Sequence, residues 1–461
     1  MKQAFLAELR WRGLLHQCTA EADLELHLAT PGRVGYCGFD PTADSLTIGN
    51  LVPIQMLVHW QAAGHAPVAL VGGGTGMIGD PSGRDEERPL LTRERVEANI
   101  AGQRRIFERL LDFDPKRPNR ARLVNNVDWL GKVGFLEFLR DVGKHFSVNA
   151  MVQKEAVRER LHNRDQGISY TEFSYMLLQA YDFLHLHRSL GCSVQMAGSD
   201  QYGNITAGTD LIHRVLGHEA AAFGVTAPLI TRSDGTKMGK SADGAIWLTA
   251  DRSSAYAFHQ YWLNVPDADV GAFLRFFSVL DADAIDAVLE AQRSAPHERA
   301  AQRRLARHMT ERLHGTDECK RVEVAGDALF GRGDVRALDA TTLREIADEI
   351  PSSRHARERL GGEGVALAEL LAETSLAASR RESRELLGAG AIAVNGERAS
   401  ADRRMRRSDL LNGGVTLLKK GKRQWHALLW VDAGPEGSAP SVHSDRDSSP
   451  QGSDSSPAGG D

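Results

Sequence analysis

Cysteine is scarce and scattered in this sequence. The four, Cys18, Cys37, Cys192 and Cys319, form no CxxC pair, which argues against a disulfide framework and a zinc site. Free thiols and no structural metal are expected. No run of about 18 apolar residues occurs, so no membrane span is expected. The stretch MKQAFLAELRWRGLLHQC also lacks the unbroken apolar segment of a secretory signal. Glu8 and the interspersed arginines give it an amphipathic helical pattern instead, and a cytoplasmic protein is expected. Neither a Walker spacing ending in Lys-Ser or Lys-Thr nor an evident Ser-His-Asp or Cys-His arrangement is present. No internal repeat stands out.

What remains is a chain of 461 residues, too long for one ordinary core, so two or three domains are expected. With 42% hydrophobic and 25% charged residues its composition is that of a globular protein. The net charge of −5 conceals an uneven distribution. Between Ser379 and Arg423 there are 12 Lys or Arg against 5 Asp or Glu, so this stretch is suited to a polyanion and the rest of the chain is acidic.

Residues 34 to 39 (VGYCGF), 68 to 71 (VALV) and 193 to 197 (SVQMA) are apolar runs, each ending in a Gly- or Asp-bearing loop before a helical pattern. That alternation indicates an α/β fold with a parallel sheet and ligand groups at the strand ends. From about 250 to 330 the pattern is helical and charged, as for a separate helical subdomain. Residues 331 to 362 read as a connection. Residues 363 to 432 form a small α+β module: helices around LAELLAETSL and SRRESRELLGAG lead into strands IAVNG and VTLLKK. From Ala433 onward Ser, Gly, Pro and Asp dominate, and a disordered tail is expected.

Five stretches carry candidate chemistry. In GFDPTADSLTIGN (38–50), Ser45 is an expected N-cap, Thr47 and Asn50 share a face, and the exposed N–H groups of the helix start attract a phosphate. Gly49 leaves room for a flat ring, and Pro53 is expected to bend or disturb the helix. In GGGTGMIGDPSGR (72–84) the glycines permit φ > 0 and close approach to a ligand, with Thr75 and Asp80 as polar contacts and Arg84 and Arg88 in reach of phosphate. In SYTEFSYMLLQAYDFLHL, Tyr175, Gln179 and Asp182 line one stripe of a helix that is apolar on most other sides. If that stripe is internal, it must satisfy something polar, such as a small amino acid. QMAGSDQYGN (195–204) offers Gln195, Asp200 and Gln201 at a strand end. DGTKMGKS (234–241) brings Lys237 and Lys240, two ammonium groups suited to charge that develops transiently on phosphate.

Taken in this order, GFDPTADSL, ALVGG, TGMIGDPSG, FLRDVGKHFSVN, GISYTEFSYMLLQAYDF, GSDQYGN and KMGKS resemble the class I aminoacyl-tRNA synthetases, most closely the bacterial tyrosyl family. The resemblance covers roughly residues 1 to 432, and SRRESRELLGAGAIAVNG is similar to the S-four RNA-binding domain that ends such enzymes. It implies a Rossmann-type catalytic domain with a dimer-forming insertion over 1–229, and a signature loop with a helical anticodon-binding domain over 230–330. A linker over 331–362, an S-four-type domain over 363–432 and a tail over 433–461 complete the expected order. The implied reaction is ATP-dependent activation of L-tyrosine, with Mg2+ accompanying ATP and no protein-bound metal, followed by transfer to tRNA(Tyr) by a homodimer.

By the same resemblance Tyr36 and Asp182 hold the tyrosine phenol. Asp80, Tyr175 and Gln179 hold its α-ammonium, and Gln195 joins the tyrosine site. Cys37, Asp40, Gly49, Asp200, Gln201 and Lys240 are implied at ATP. Thr47, Asn50, Arg84, Arg88, Lys237 and Lys240 are implied in catalysis, and Arg380, Arg381 and Arg384 at RNA.

One position departs from the family pattern. The signature at 47–50 usually reads His-x-Gly-His or His-x-Gly-Asn, so Asn50 conforms and Thr47 does not. A threonine hydroxyl is uncharged and shorter in reach than imidazole. The expectation is an enzyme slowed at activation or compensated elsewhere, in which Thr47→His accelerates adenylate formation. Two other readings stay open: a paralogue that activates a tyrosine analogue or another amino acid, and a synthetase-like RNA binder with impaired catalysis.

Overall fold

The computed structural model describes residues 4–80, 91–154, 157–158, 168–231, 233, 235, 238, 240–241, 244–330, 333–421 and 424–432, the side chains of 240 and 241 excepted. The expected tail, 433–461, lies outside them. The chain divides into two compact units, Met1–Gly333 and Asp334–Asp461.

The first unit is built on six strands: β1 (Gln17–Cys18), β2 (Val34–Phe39), β3 (Ala66–Val71), β4 (Arg122–Asn125), β5 (Cys192–Gly198) and β6 (Phe223–Ala227). Their order is β1-β6-β5-β2-β3-β4, with only β1 antiparallel to its neighbour. From β2 the chain winds outward through β3 and β4, then returns to add β5 and β6 on the other side. The order therefore reverses between β2 and β5, and in such sheets the crevice beyond the strand C-termini at that point is where ligands bind.

Helix α1 (Phe5–Arg12), as the amphipathic pattern indicates, buries Phe5, Leu6 and Leu9. Helix α2 (Leu51–Ala62) follows β2 on the same face of the sheet, and Trp60 packs so closely that a Cβ on Gly35 would sit 2.8 Å from its ring. Pro53 falls in the first turn of α2, where the backbone N–H has no intrahelical acceptor to lose, so the helix continues through it. The other face is covered by α4 (Tyr170–Leu190), which packs against α5 (Tyr202–Leu216). Between β3 and β4 lies α3 (Arg93–Leu110).

Five helices follow: α6 (Ala255–Leu263), α7 (Asp267–Phe277), α8 (Ala282–Ser294), α9 (Ala300–His314) and α10 (Thr316–Leu329). They do not stand apart. Trp262, Phe273, Phe277 and Leu305 belong to the same apolar core as Leu9, Ile54, Leu57 and Met196. Two buried polar side chains fix the junction. The Arg12 guanidinium donates to the carbonyls of Arg275, Ser278 and Leu280, and Gln55 Nε2 on α2 donates to the Phe277 carbonyl at 2.8 Å.

The second unit begins earlier than the sequence pattern suggested. Residues expected as a linker carry α11 (Ala340–Glu349) and β9 (Ser352–Ala356), which pairs in parallel with the last strand. Its charged composition reflects an edge strand with three of five side chains exposed, and only His355 is buried. The pair β10 (Val365–Ala366) and β13 (Arg404–Met405) flanks α12 (Leu367–Leu371), and α13 (Arg380–Gly388) follows. The main sheet is completed by β11 (Ile392–Val394), β12 (Glu397–Arg398), β14 (Val415–Lys420) and β15 (Gln424–Val431), in the order β12-β11-β14-β15-β9. Asn395 and Gly396, with φ of 50° and 87°, turn β11 into β12, the two left-handed residues that a tight hairpin demands.

Two buried histidines join three segments of this unit. Ser353 Oγ on β9 lies 2.7 Å from His355 Nε2 and 2.9 Å from His426 Nε2 on β15. The Ser375 N–H donates to His426 Nδ1 at 3.4 Å, which requires that nitrogen to be unprotonated, and Glu373 and Arg359 flank His355 Nδ1. Burial lowers the pKa of His355 and pulls that of His426 down to about 4. Both groups take up protons less readily folded than unfolded, so their contribution is whole above about pH 6.5 and is lost as pH falls towards 4. The unfolding midpoint of this unit, followed by circular dichroism, is expected to be flat from pH 8 to 6.5 and to drop below it. A flat profile down to pH 4 would contradict the histidine pairing.

Candidate active site

The C-terminal ends of β2, β3, β4 and β5 deliver, in turn, Asp40, the run Gly72–Asp80, Asn125 with Asn126, and Ser199–Gln201. The glycines after β3 serve close approach more than unusual backbone angles. In the described run only Gly79 has positive φ, at 91°. A Cβ on Gly72 would sit 2.4 Å from both Asp40 Oδ1 and Thr75 Oγ1, and one on Gly73 2.2 Å from Asn125 Oδ1. The space a side chain would take is filled by polar groups packed against the backbone. Gly73 and Gly74 N–H donate to Asn125 Oδ1 and Asn126 Oδ1 at 3.1 and 2.7 Å.

Helix α4 presents its polar stripe to these loops. Its N-cap is Ser169, whose hydroxyl accepts from the Glu172 N–H, and its C-cap is Gly191 at φ 66°. Tyr175 and Asp182 on the stripe are buried and Gln179 is half-buried. Tyr175 Oη donates to Asp40 Oδ2 at 3.3 Å, and Thr75 Oγ1 donates to Asp40 Oδ1 at 3.1 Å. Asp182 accepts from Asn126 Nδ2 at 2.9 Å and Trp129 Nε1 at 2.7 Å. A second arm runs from Asp80 through Gln201 (2.9 Å) to Asn204 (3.0 Å) and Gln179 (3.1 Å).

Beneath the cup, Tyr36 on β2 and Gln195 on β5 are register partners, so both side chains leave the sheet on the α4 face. Tyr36 is 1% exposed and Gln195 2%, and Tyr36 Oη and Gln195 Oε1 have no hydrogen-bond partner. Orphaned buried polar atoms are costly and call for an explanation, of which a bound polar ligand is one. Burial pushes the Asp182 carboxyl up to about 7 despite its two donors, and burial with the Asp182 charge pushes the Tyr36 phenol far up. A buried carboxylate facing an unpaired phenol is suited to hold a hydroxyl that both donates and accepts.

Cys37 points to the opposite face, in the core beside Phe39 and Ala69, with its thiol raised by burial. That leaves it apart from Tyr36. Asp200 is exposed at the rim. The segment at 45–50 differs from expectation at its cap. Ser45 is buried and accepts from the Thr249 hydroxyl, while Thr47 caps the 3₁₀ turn Ile48–Asn50 that leads into α2. Gly49 is exposed, and a Cβ there would lie 3.7 Å from Thr47 Oγ1, an ordinary van der Waals contact. Arg84, Arg88 and Lys237 lie outside the described residues, and Lys240 contributes only its backbone, paired in β7 (Lys240–Ser241) with β8 (Gly244–Ala245).

Sequence reasoning missed Asn125, Asn126 and Trp129, although NNVDW after a strand was the available signal. Asn99 and Gln103 on α3 were missed as well. They brace the loop after β2 through the carbonyls of Pro41 and Ala43.

Residues 32–331 match the family described as "tRNA synthetases class I (W and Y)", and residues 342–428 match "Tyrosine--tRNA ligase SYY-like C-terminal domain". A tyrosine–tRNA ligase of Aliivibrio fischeri is 46% identical over 427 residues, which is 92% of this chain and 98% of that one. One of Opitutus terrae is 48% identical over 92% of this chain and 99% of its own. Among solved structures, a truncated mitochondrial tyrosyl-tRNA synthetase of Aspergillus nidulans superposes with a TM-score of 0.63 at 30% identity, covering 71% of this chain and 94% of that one.

Proposed function

The chain belongs to the tyrosine–tRNA ligases of the class I synthetase family, and from that premise we infer that the polar cup at the switch point takes tyrosine beside ATP. In the first step a tyrosine carboxylate oxygen attacks the α-phosphorus, the bond to the bridging oxygen of the β-phosphate breaks, and diphosphate leaves tyrosyl-AMP. In the second, a terminal hydroxyl of tRNA(Tyr) attacks the tyrosyl carbonyl and AMP departs. Neither step needs a covalent enzyme intermediate, so positioning and charge neutralisation carry the rate.

The observation that carries the tyrosine reading is the partnerless Tyr36 hydroxyl buried beside the Asp182 carboxylate. With the phenol there, the α-ammonium falls to Tyr175, Gln179 and Asp80, and Gln195 lines the same pocket. The nucleotide lies over 47–50, with Asp40, Gly49, Asp200 and Gln201 around it. Mg2+ arrives with ATP as part of the substrate. Pyrophosphate exchange across a panel of amino acids tests this: tyrosine is expected to support exchange far better than any other, and a better substrate without a para-hydroxyl would overturn it.

Phe135, Leu136, Leu139, Val148 and Tyr170, all between β4 and the first turn of α4, are large apolar side chains left exposed, and contact with a second copy of this chain would cover them. No helix among the described residues is long and apolar enough to cross a membrane. For tRNA, Arg380 and Arg384 stand exposed one turn apart on α13, whereas Arg381 pairs with Glu385 at 3.0 Å. Arg403 and Arg404 are engaged by Asp409 and by the carbonyls of Glu363 and Gly364. Binding of tRNA is therefore expected to weaken steeply with salt. Replacing Arg380 and Arg384 with alanine should reduce the slope of log K against log salt by about 2, one for each phosphate no longer neutralised. An unchanged slope in a filter-binding titration would remove these residues from the interface.

A further inference from the structure

Position 47 holds threonine where the family pattern places histidine, and the geometry around it assigns the hydroxyl a task. The Thr47 backbone N–H and its hydroxyl both donate to Asn50 Oδ1, each at 3.0 Å. A backbone N–H can only donate, so the amide oxygen of Asn50 must face Thr47. Its Nδ2, with two N–H donors, is turned the other way.

Thr47 is itself held from the far side. Ile48 N–H donates to the Ile246 carbonyl at 3.1 Å and Leu248 N–H to the Leu46 carbonyl at 2.8 Å, which makes Thr47 and Trp247 an antiparallel pair between two hydrogen bonds. Side chains of such a pair lie on one face and close together. The Arg252 guanidinium covers the Trp247 ring at 5.1 Å and reaches Asp44 at 2.7 Å, closing that side. A small β-branched residue suits the place, since one stiff χ1 keeps its hydroxyl on Asn50.

We propose that Thr47 is a positioning residue that does not touch the nucleotide: it fixes the Asn50 amide so that Nδ2 faces the ATP bound over 47–50. This rests on the reading of that segment as the nucleotide site. It also reverses the expectation drawn from the sequence alone. Histidine at 47 replaces the hydroxyl bond to Asn50 with a ring beside Trp247, and it frees the amide to turn.

The test is pyrophosphate exchange by the full chain carrying Thr47→Val, Thr47→Ser, Thr47→His, Asn50→Ala and the double change Thr47→Val with Asn50→Ala. Thr47→Val is expected to lower kcat/KM for ATP about 3- to 10-fold, the effect of one neutral hydrogen bond, with KM for tyrosine unchanged. Thr47→Ser restores most of the loss, Thr47→His stays at or below the native rate, and Thr47→Val costs nothing further once Asn50 is alanine. A gain from Thr47→His, or independent losses from Val and Ala that multiply, would overturn the positioning role. Absence of tyrosine-dependent exchange in the unaltered chain would instead sink the proposed function.

Discussion

Asp182→Asn is expected to lower kcat/KM for tyrosine about 10- to 150-fold and to leave that for phenylalanine near its native value. The range corresponds to roughly 1.5–3 kcal/mol, the loss of one hydrogen bond to a charged group. Asp182 is 2% exposed and shares its surroundings with the partnerless Tyr36 hydroxyl, so a substrate phenol can donate to the carboxylate while accepting from Tyr36. Phenylalanine has no hydroxyl to place there and loses nothing. Because Asn126 and Trp129 each donate to a different Asp182 oxygen, the asparagine leaves one donor without its acceptor, and some stability is lost as well. The ratio of the two substrates cancels any change in the folded fraction. Since burial raises this carboxyl to about 7, tyrosine selectivity should also rise as pH increases through that value, and it should be flat in the variant. An unchanged tyrosine-to-phenylalanine ratio would place the phenol elsewhere.

Lys237→Ala and Lys240→Ala are each expected to reduce kcat for exchange by about 10²- to 10³-fold, with small effects on KM for tyrosine. The described part of the cup contributes four carboxylates, Asp40, Asp80, Asp182 and Asp200, which suit an ammonium and oppose a triphosphate. The proposed function therefore assigns neutralisation of the departing diphosphate to the cations of the flanking stretches: Arg84, Arg88 and the two lysines. Charge on the bridging oxygen grows only as its bond breaks, so groups that meet it stabilise the transition state more than bound ATP. A loss confined to KM would make the lysines binding groups alone.

The parts of this architecture that were legible are those where composition and position coincide. Strands β2, β3 and β5 are apolar runs ending in Gly or Asp, and a parallel sheet with polar groups at its strand ends follows from them. Strand β4, RLVN, opens on an exposed arginine at the sheet edge and carries no such signature, so the NNVDW stretch at its end does not stand out as a strand-end loop. Asn126 reaches Asp182 across 56 positions, a pairing no local pattern encodes. The stripe Tyr175, Gln179, Asp182 was readable because helical spacing alone groups it. The glycines of 72–76 read as sites of close approach to a ligand, and in the structure Gly72 and Gly73 leave room for Asp40 and Asn125. At 45–50 local propensity favoured Ser45 as the cap, and tertiary pairing with 246–249 moved the cap to Thr47. The helical segment shares the core of the sheet through Trp262, Phe273, Phe277 and Leu305, although its charged surface pattern suggested independence.

The most direct measurement is charging of total tRNA with labelled tyrosine by the purified full chain, with ATP present or withheld. The account predicts ATP-dependent accumulation of label in the acid-insoluble tRNA fraction, released as tyrosine by mild base. Tight tRNA binding with no label transferred would contradict it and leave an RNA-binding protein in the shape of a synthetase.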